Sequence, residues 1–233
     1  KKAFDKANYI FHVAGVVKSK NKEGYYKGNV ETTRTILDAL EEADHNLKRL
    51  VVVSSQTAVG PSPNGTDIDE NYEPKPITTY GKSKLEQEKL VNSYKEKFPL
   101  TICRAPAVYG QRDTEIFLIF KSFNQGLMTK VGFDKKAVSL IHVEDLVRGI
   151  YLAAVKESSI GETYFITSEK PYDWDTVGDA LAKAFGKNAL RLKIPHFLVF
   201  TVAGVAEFFA SFSKQPATFN VEKAKDFVQS RWT

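Results

Sequence analysis

Two short apolar runs separated by a helical spacing constrain this chain more than any other feature. Tyr9-Ile10-Phe11-His12-Val13-Ala14 is closed by Gly15, and Leu50-Val51-Val52-Val53 is closed by Ser54-Ser55. Continuous apolar runs of this length with turn residues at their ends fit strands buried on both faces, as in parallel sheets. Between them Val30, Thr33, Ile36, Leu37 and Leu40 recur at helical spacing, which supplies the crossover that two parallel strands require. The pattern repeats. Residues 61–76 hold four prolines and Asn64-Gly65 and read as a loop. Thr78 or Thr79 can then cap a helix running to about Lys97, and Leu100-Thr101-Ile102-Cys103 reads as the next strand. A short strand over 138–142 and a helix over 143–154 follow. The expected class is α/β, a Rossmann-like doubly wound parallel sheet.

Beyond residue 158 the texture changes to short strands at 163–167 and 190–194 and helices at 174–185, 197–212 and 221–228. Residues 1–157 are therefore expected to form a partial nucleotide-binding domain, interrupted by a substrate loop at about 111–137. Residues 158–233 form mainly a substrate-binding lobe. The apolar stretch 197–212 is too short to span a hydrocarbon layer of about 30 Å. It is expected to be a core or lobe-covering helix.

Composition narrows the partners. A formal charge of +5 from 33 basic and 28 acidic residues, scattered along the chain, is too weak for a nucleic-acid footprint. The single cysteine, Cys103, excludes an internal disulfide framework and reads as a buried strand residue. The lysines at positions 1 and 2 precede no apolar run, which argues against a signal peptide and favours a cytoplasmic setting. His12, His45, His142 and His196 show no ligand spacing, so no metal site is expected, and no Gly-x-Ser-x-Gly elbow is present.

The chemistry centres on Tyr80-Gly81-Lys82-Ser83-Lys84 at the start of the helix after the long loop. A spacing of four puts Tyr80 and Lys84 on one helix face. A nearby ammonium favours the phenolate, so a Tyr in this pairing can exchange a proton with an alcohol or carbonyl near neutral pH. Ser54-Ser55-Gln56-Thr57 brings hydroxyls to the carboxyl edge of the sheet, where open α/β folds bind ligands. Arg104-Ala105-Pro106-Ala107-Val108-Tyr109-Gly110 ends the next strand at the same edge. Asn29 reads from its position as a helix N-cap.

These segments occur in order with His12-Val13-Ala14-Gly15, Asn29-Val30-Glu31-Thr32-Thr33 and Ile141-His142-Val143-Glu144-Asp145. Together they resemble the extended short-chain dehydrogenase/reductases, which include sugar-nucleotide epimerases and dehydratases and 3β-hydroxysteroid dehydrogenases. The resemblance implies a cofactor, NAD or NADP, and an oxidoreductase or epimerase/dehydratase acting on a sugar nucleotide, a sterol or a similar small molecule. It implies Tyr80 as acid/base, Lys84 as the group that lowers its pKa and holds the nicotinamide ribose, and Ser55 as the carbonyl's hydrogen-bond donor, with Gln56 and Thr57 as neighbouring alternatives. Ala14, Gly15 and Ser54 would line the dinucleotide, while Pro106 and Val108 would frame the nicotinamide amide. The resemblance also implies, with weight equal to the N-cap reading, that Asn29 is a buried polar residue near the site. His142 would open the last helix of the sheet domain. A homodimer through the helix at 29–43 and the Tyr80 helix is also implied. A complete member would begin with a strand and a glycine-rich phosphate turn that this sequence lacks, so the chain as given is expected to hold a dinucleotide weakly. A non-catalytic binding role on the same fold is the competing expectation.

Overall fold

The computed structural model describes residues 3–63, 65–212, 217 and 219–233; Lys1, Lys2 and Asn64 of the reading above lie outside them. In chain order the elements are β1 (Tyr9–His12), α1 (Lys22–Tyr26), a π-helical turn (Lys27–Glu31), α2 (Thr32–Glu41), β2 (Arg49–Ser55), a 3₁₀ turn (Gln56–Ala58), α3 (Thr79–Asn92), β3 (Leu100–Ala105), β4 (Ala107–Tyr109), α4 (Ile116–Asn124), β5 (Leu127–Val131), β6 (Ala137–Val138), β7 (Leu140–His142), α5 (Val143–Val155), β8 (Thr163–Phe165), β9 (Tyr172–Asp173), α6 (Trp174–Phe185), β10 (Leu190–Ile194), α7 (His196–Ser211), α8 (Val221–Val228) and β11 (Arg231–Trp232). They fall into two compact units.

The first unit comprises Lys1–Gly60, Asp69–Ala105 and Asp145–Ile166. It holds a parallel sheet in the order β1-β2-β3-β8, with His12 opposite Val52, Ser55 opposite Ala105 and Ile102 opposite Thr163. The expected α/β class with a Rossmann-type parallel sheet is what the chain adopts. Alternation along the strands turns Leu50, Val52, Leu100 and Ile102 to one face, where they meet Leu37 and Leu40 of α2 and Val91 of α3. β1 is an edge strand, and its Tyr9 and Phe11 are exposed.

Two buried arginines tie this unit together. The Arg49 guanidinium donates to Thr101 Oγ1 (3.0 Å), Ser159 Oγ (2.7 Å), Ala153 O (2.7 Å) and Lys156 O (3.0 Å), so β2 holds the carboxyl end of α5 through charge-assisted bonds to its last carbonyls. Arg104, near the end of β3, donates from Nε and Nη2 to the Glu88 carboxylate of α3 (3.1 and 2.8 Å) and lies over the Phe165 ring. Cys103 is buried between these contacts, and burial pushes its thiol up to about 12.

The second unit comprises Pro61–Ile68, Pro106–Glu144 and Thr167–Thr233. β5 pairs with β10, β4 with β7, and β6 with both β9 and β11. Its small cores are Phe123, Met128 and Leu181, and Val199, Ala203 and Ala224. The segment 61–68 is fastened to the chain end: Thr233 N donates to Ser62 Oγ (2.9 Å) and Arg231 pairs with Asp67.

Several expectations change. The strand expected in the terminal lobe at 163–167 is β8 of the main sheet; left-handed Gly161 turns the chain so that its N–H reaches Leu100 O and Glu162 O accepts from Ile102 N. The strand expected over 138–142 is broken at Ser139, whose N–H is taken by Trp232 O, so its halves pair with different partners. The Tyr80 helix ends at Asn92 rather than near Lys97, with Ser93 as its cap and the Ser93 hydroxyl turned back to Leu90 O. The apolar stretch expected as a core or lobe-covering helix is α7, in which only Val199 and Ala203 are buried and Phe197, Phe208 and Phe209 are exposed, as is Phe212 at its cap. No helix among the described residues is long and apolar enough to cross a membrane.

Removing one partner of the buried Arg104–Glu88 pair, whose side chains are 7% and 3% exposed, strands the other charge in the core. Glu88→Ala is expected to cost about 3–5 kcal/mol in chemical denaturation, whereas Glu88→Leu combined with Arg104→Met should restore most of it. Equal loss in the single and double variants would show that packing rather than charge carries the effect.

Candidate active site

At its carboxyl end β2 outruns β1, which stops opposite Val52. Beyond that point the Val53 carbonyl accepts from Lys84 Nζ of α3 (2.8 Å). The same ammonium donates to Gln87 Oε1 (2.5 Å) one turn further along α3. Lys84 is 4% exposed, and burial lowers its pKa from 10.5 to about 8, with Glu88 opposing the shift.

Thr78 caps α3 by accepting from Gly81 N (3.2 Å), as the sequence suggested. This sets Tyr80 in the first turn, four residues ahead of Lys84 on the same side, with its ring 6.2 Å from that of buried Tyr25. Gly81 is required there: a Cβ would stand 2.3 Å from Thr57 O, so α3 starts directly against the backbone that leaves β2.

That backbone carries the hydroxyls. Ser55 Oγ accepts from Thr57 N (3.2 Å) and Thr57 Oγ1 (2.8 Å), which leaves the Ser55 hydrogen to be donated elsewhere. Gln56 is buried and Ser55 half-buried. The Ser54 hydroxyl is buried with no hydrogen-bond partner among the described residues.

Asn29 is neither exposed nor an N-cap. α1, capped by Asn21, already starts at Lys22, and Asn29 lies fully buried in the π-helical turn between α1 and α2. Its Oδ1 accepts from Val16 N (2.7 Å), and its Nδ2 donates to Val16 O (3.1 Å) and Ser83 Oγ (2.9 Å). Ser83 in turn donates to Tyr80 O (2.7 Å). One amide thus joins the loop after β1 to the first turn of α3. Ala14 and Gly15 are exposed on that loop, and a side chain on Gly15 would sit 2.9 Å from Asn29 Oδ1 and 3.9 Å from Lys84 Nζ.

The reading of the sequence missed a second part of this network. Thr33 Oγ1 gives its hydrogen to Asn29 O (2.6 Å), so it accepts from His12 (2.8 Å) and from Gln87 Nε2 (2.7 Å). The available signal was helical spacing: Asn29 to Thr33 and Lys84 to Gln87 place polar side chains on inward faces. Pro106 and Val108 belong to the second unit, where Val108 pairs with Ile141, and His142 precedes α5 and accepts from Glu144 N (3.4 Å).

His12 is held neutral: burial, then the charge of Lys84, lowers its pKa to about 4. The unfolded chain takes up a proton near pH 6.5 that the folded chain refuses, so stability falls as pH drops from about 6.5 towards about 4. Thermal unfolding at stepped pH should show this decline in the wild type and a flatter profile in His12→Gln. Parallel profiles would remove His12 as its source.

The description "NAD dependent epimerase/dehydratase family" belongs to the family model that matches residues 1–167. Ceramide reductase of Caulobacter vibrioides is 25% identical over 228 residues, 97% of this chain and 66% of the relative. Human sterol-4-alpha-carboxylate 3-dehydrogenase, decarboxylating, is 28% identical over 204 residues, 82% of this chain and 54% of the relative. The chain thus spans about half to two thirds of these relatives' lengths. A solved structure of UDP-glucuronic acid 4-epimerase from Bacillus cereus, in complex with UDP-glucuronic acid and NAD, superimposes with a TM-score of 0.70 at 21% identity, over 97% of this chain and 70% of that one. A parallel sheet, a Tyr and Lys one turn apart at its carboxyl edge and a family match over most of the sequence place this chain in the NAD-dependent epimerase/dehydratase family.

Proposed function

We propose that the protein is an NAD(P)-dependent oxidoreductase acting on the hydroxyl or carbonyl of a small molecule with an apolar body, such as a sterol or a sphingolipid. The observation that carries this reading is the buried Lys84 ammonium, fixed at the end of β2 one helical turn from Tyr80. The substrate class is drawn from the ceramide and sterol enzymes among the relatives, whose sequence matches extend past residue 167, where the family match ends. The substrate-selecting role is assigned to those segments and to residues 111–137.

The residues present fit a nicotinamide dinucleotide. Gly15 has no room for a side chain beside Asn29 and leaves its backbone bare near Lys84 Nζ, and the Ser54 hydroxyl is buried without a partner among the described residues. Ala14, Gly15, Ser54 and Lys84 would hold the nicotinamide half. When bound, the cofactor supplies hydride acceptance and return.

The rest of the chemistry belongs to the chain. The Lys84 charge favours the Tyr80 phenolate, which takes the proton of a substrate hydroxyl as its carbon is oxidised and returns it in the reverse direction. Ser55, which accepts from the Thr57 hydroxyl and so keeps its own hydrogen, donates to the substrate oxygen and stabilises the charge that develops there. Two chains are proposed to pair through α2 and α3 in a cytoplasmic enzyme; a monomeric mass by light scattering would reject the pairing.

In the full natural chain, Tyr80→Phe should lower turnover about 10²–10⁴-fold with NADH affinity nearly unchanged, because only the proton-transferring oxygen is lost. Assays with a 3-hydroxysterol, an N-acyl sphingoid ketone and UDP-glucose, each with NAD and NADP, separate the substrate classes. Wild-type turnover in Tyr80→Phe would overturn the mechanism, and turnover of UDP-glucose alone would overturn the substrate class.

A further inference from the structure

We propose that Gln87 is the positioning residue of Lys84: its side-chain oxygen clamps the ammonium, and its own amide is locked by Thr33 of the neighbouring helix. The inference rests on the reading of Tyr80 and Lys84 as an acid/base pair. Lys84 has a flexible four-carbon stem, and a point charge on such a stem acts on a phenol only where something fixes it. Two fixed acceptors do so, Val53 O at 2.8 Å and Gln87 Oε1 at 2.5 Å.

The amide has only one usable orientation. An ammonium has no lone pair, so only the oxygen of Gln87 can face it. On the other side Gln87 Nε2 donates to Thr33 Oγ1 at 2.7 Å, and that hydroxyl has already given its hydrogen to Asn29 O. Turning the amide over would set NH₂ against the ammonium and an oxygen against a hydroxyl with no hydrogen left to give. Gln87 is fully buried, so water cannot repair either fault. The clamp is therefore as rigid as the contact between α2 and α3.

A neutral clamp also preserves the charge it holds. The charged and titratable groups around Lys84 are Tyr80 and Glu88 on its own helix, Arg104 of β3, which engages Glu88, and His12 of β1, which is neutral. Asn29 and Gln87 add oxygens but no charge. A carboxylate at position 87 would pair with Lys84 and take its field away from Tyr80.

The test is the pH profile of Lys84 acylation, read by mass spectrometry in the full natural chain, for wild type, Gln87→Glu and Gln87→Met. The reacting species is the neutral amine. Gln87→Glu should raise the midpoint by a unit or more and make Lys84 about tenfold less reactive at pH 7. Gln87→Met removes an acceptor that favours the charged form, and should lower the midpoint and make Lys84 severalfold more reactive. Both variants should lose turnover while keeping NADH affinity, and thermal unfolding confirms that each is folded. Gln87→Glu keeps the shape of the native side chain, and the Thr33 hydroxyl can turn its hydrogen from Asn29 O to the new oxygen, so it reports even where the Met variant does not fold. An unchanged Lys84 profile in folded Gln87→Glu overturns the clamp. A shifted profile together with a fully active Tyr80→Phe leaves the clamp standing and overturns the acid/base reading instead.

Discussion

The structure around the candidate site depends on burying an ammonium at the end of a parallel sheet. Removing the Lys84 charge from water is costly, and the cost is tolerable only where oxygens of fixed position replace the lost hydration. β2 supplies one by running past β1 and freeing the Val53 carbonyl, and α3 supplies another through Gln87. Neither would hold its place alone. Gln87 is held by Thr33, Thr33 by Asn29 O, and Asn29 by the Val16 backbone and Ser83. Each polar group in this chain spends its hydrogens and lone pairs on the next, and a network in that condition stiffens the elements it joins.

The π-helical turn at Lys27–Glu31 belongs to the same account. An i→i+5 turn inside a helix costs hydrogen-bond geometry and persists where a side chain needs the altered direction. Here it carries Asn29, whose amide reaches both the loop after β1 and the first turn of α3, while the next turns of α2 still deliver Leu37 and Leu40 to the core. Two demands with different periods meet in one helical run, and the turn lies where they meet.

This explains what the sequence showed and what it hid. The strands at Tyr9, Leu50 and Leu100, the cap at Thr78 and the pair Tyr80 and Lys84 were legible because each rests on a local rule: an apolar run, a hydroxyl before a helix, a spacing of four. α6, β10 and α8 were placed for the same reason. β8 was found at its place in the sequence but assigned to the terminal lobe, because a three-residue strand carries no sign of its neighbour, and β3 recruits it from about sixty residues away. Gln87 escaped notice, and Thr33 was read only as part of the helical stripe, because the hydrogen-bonding task of a polar residue at an inward helical position does not show until its partners are known. Hydropathy and length allowed α7 to be a core or a lobe-covering helix, because they measure what a helix could bury and not whether anything lies against it.

The two buried cations at this end of the sheet make the functional distinction. Arg104 is answered by a full carboxylate, Glu88, in a bidentate pair, so its charge is cancelled where it sits and what remains is a tie between β3 and α3. Lys84, one turn before Glu88 on the same helix, is answered by a carbonyl and an amide oxygen, which solvate the charge without cancelling it. Arg104 engages both oxygens of the Glu88 carboxylate, which acts on Lys84 only through its charge. A buried cation without a bound carboxylate, with its pKa brought down to about 8, is a poor choice for stability alone, which is why the proposed role beside Tyr80 rests on it.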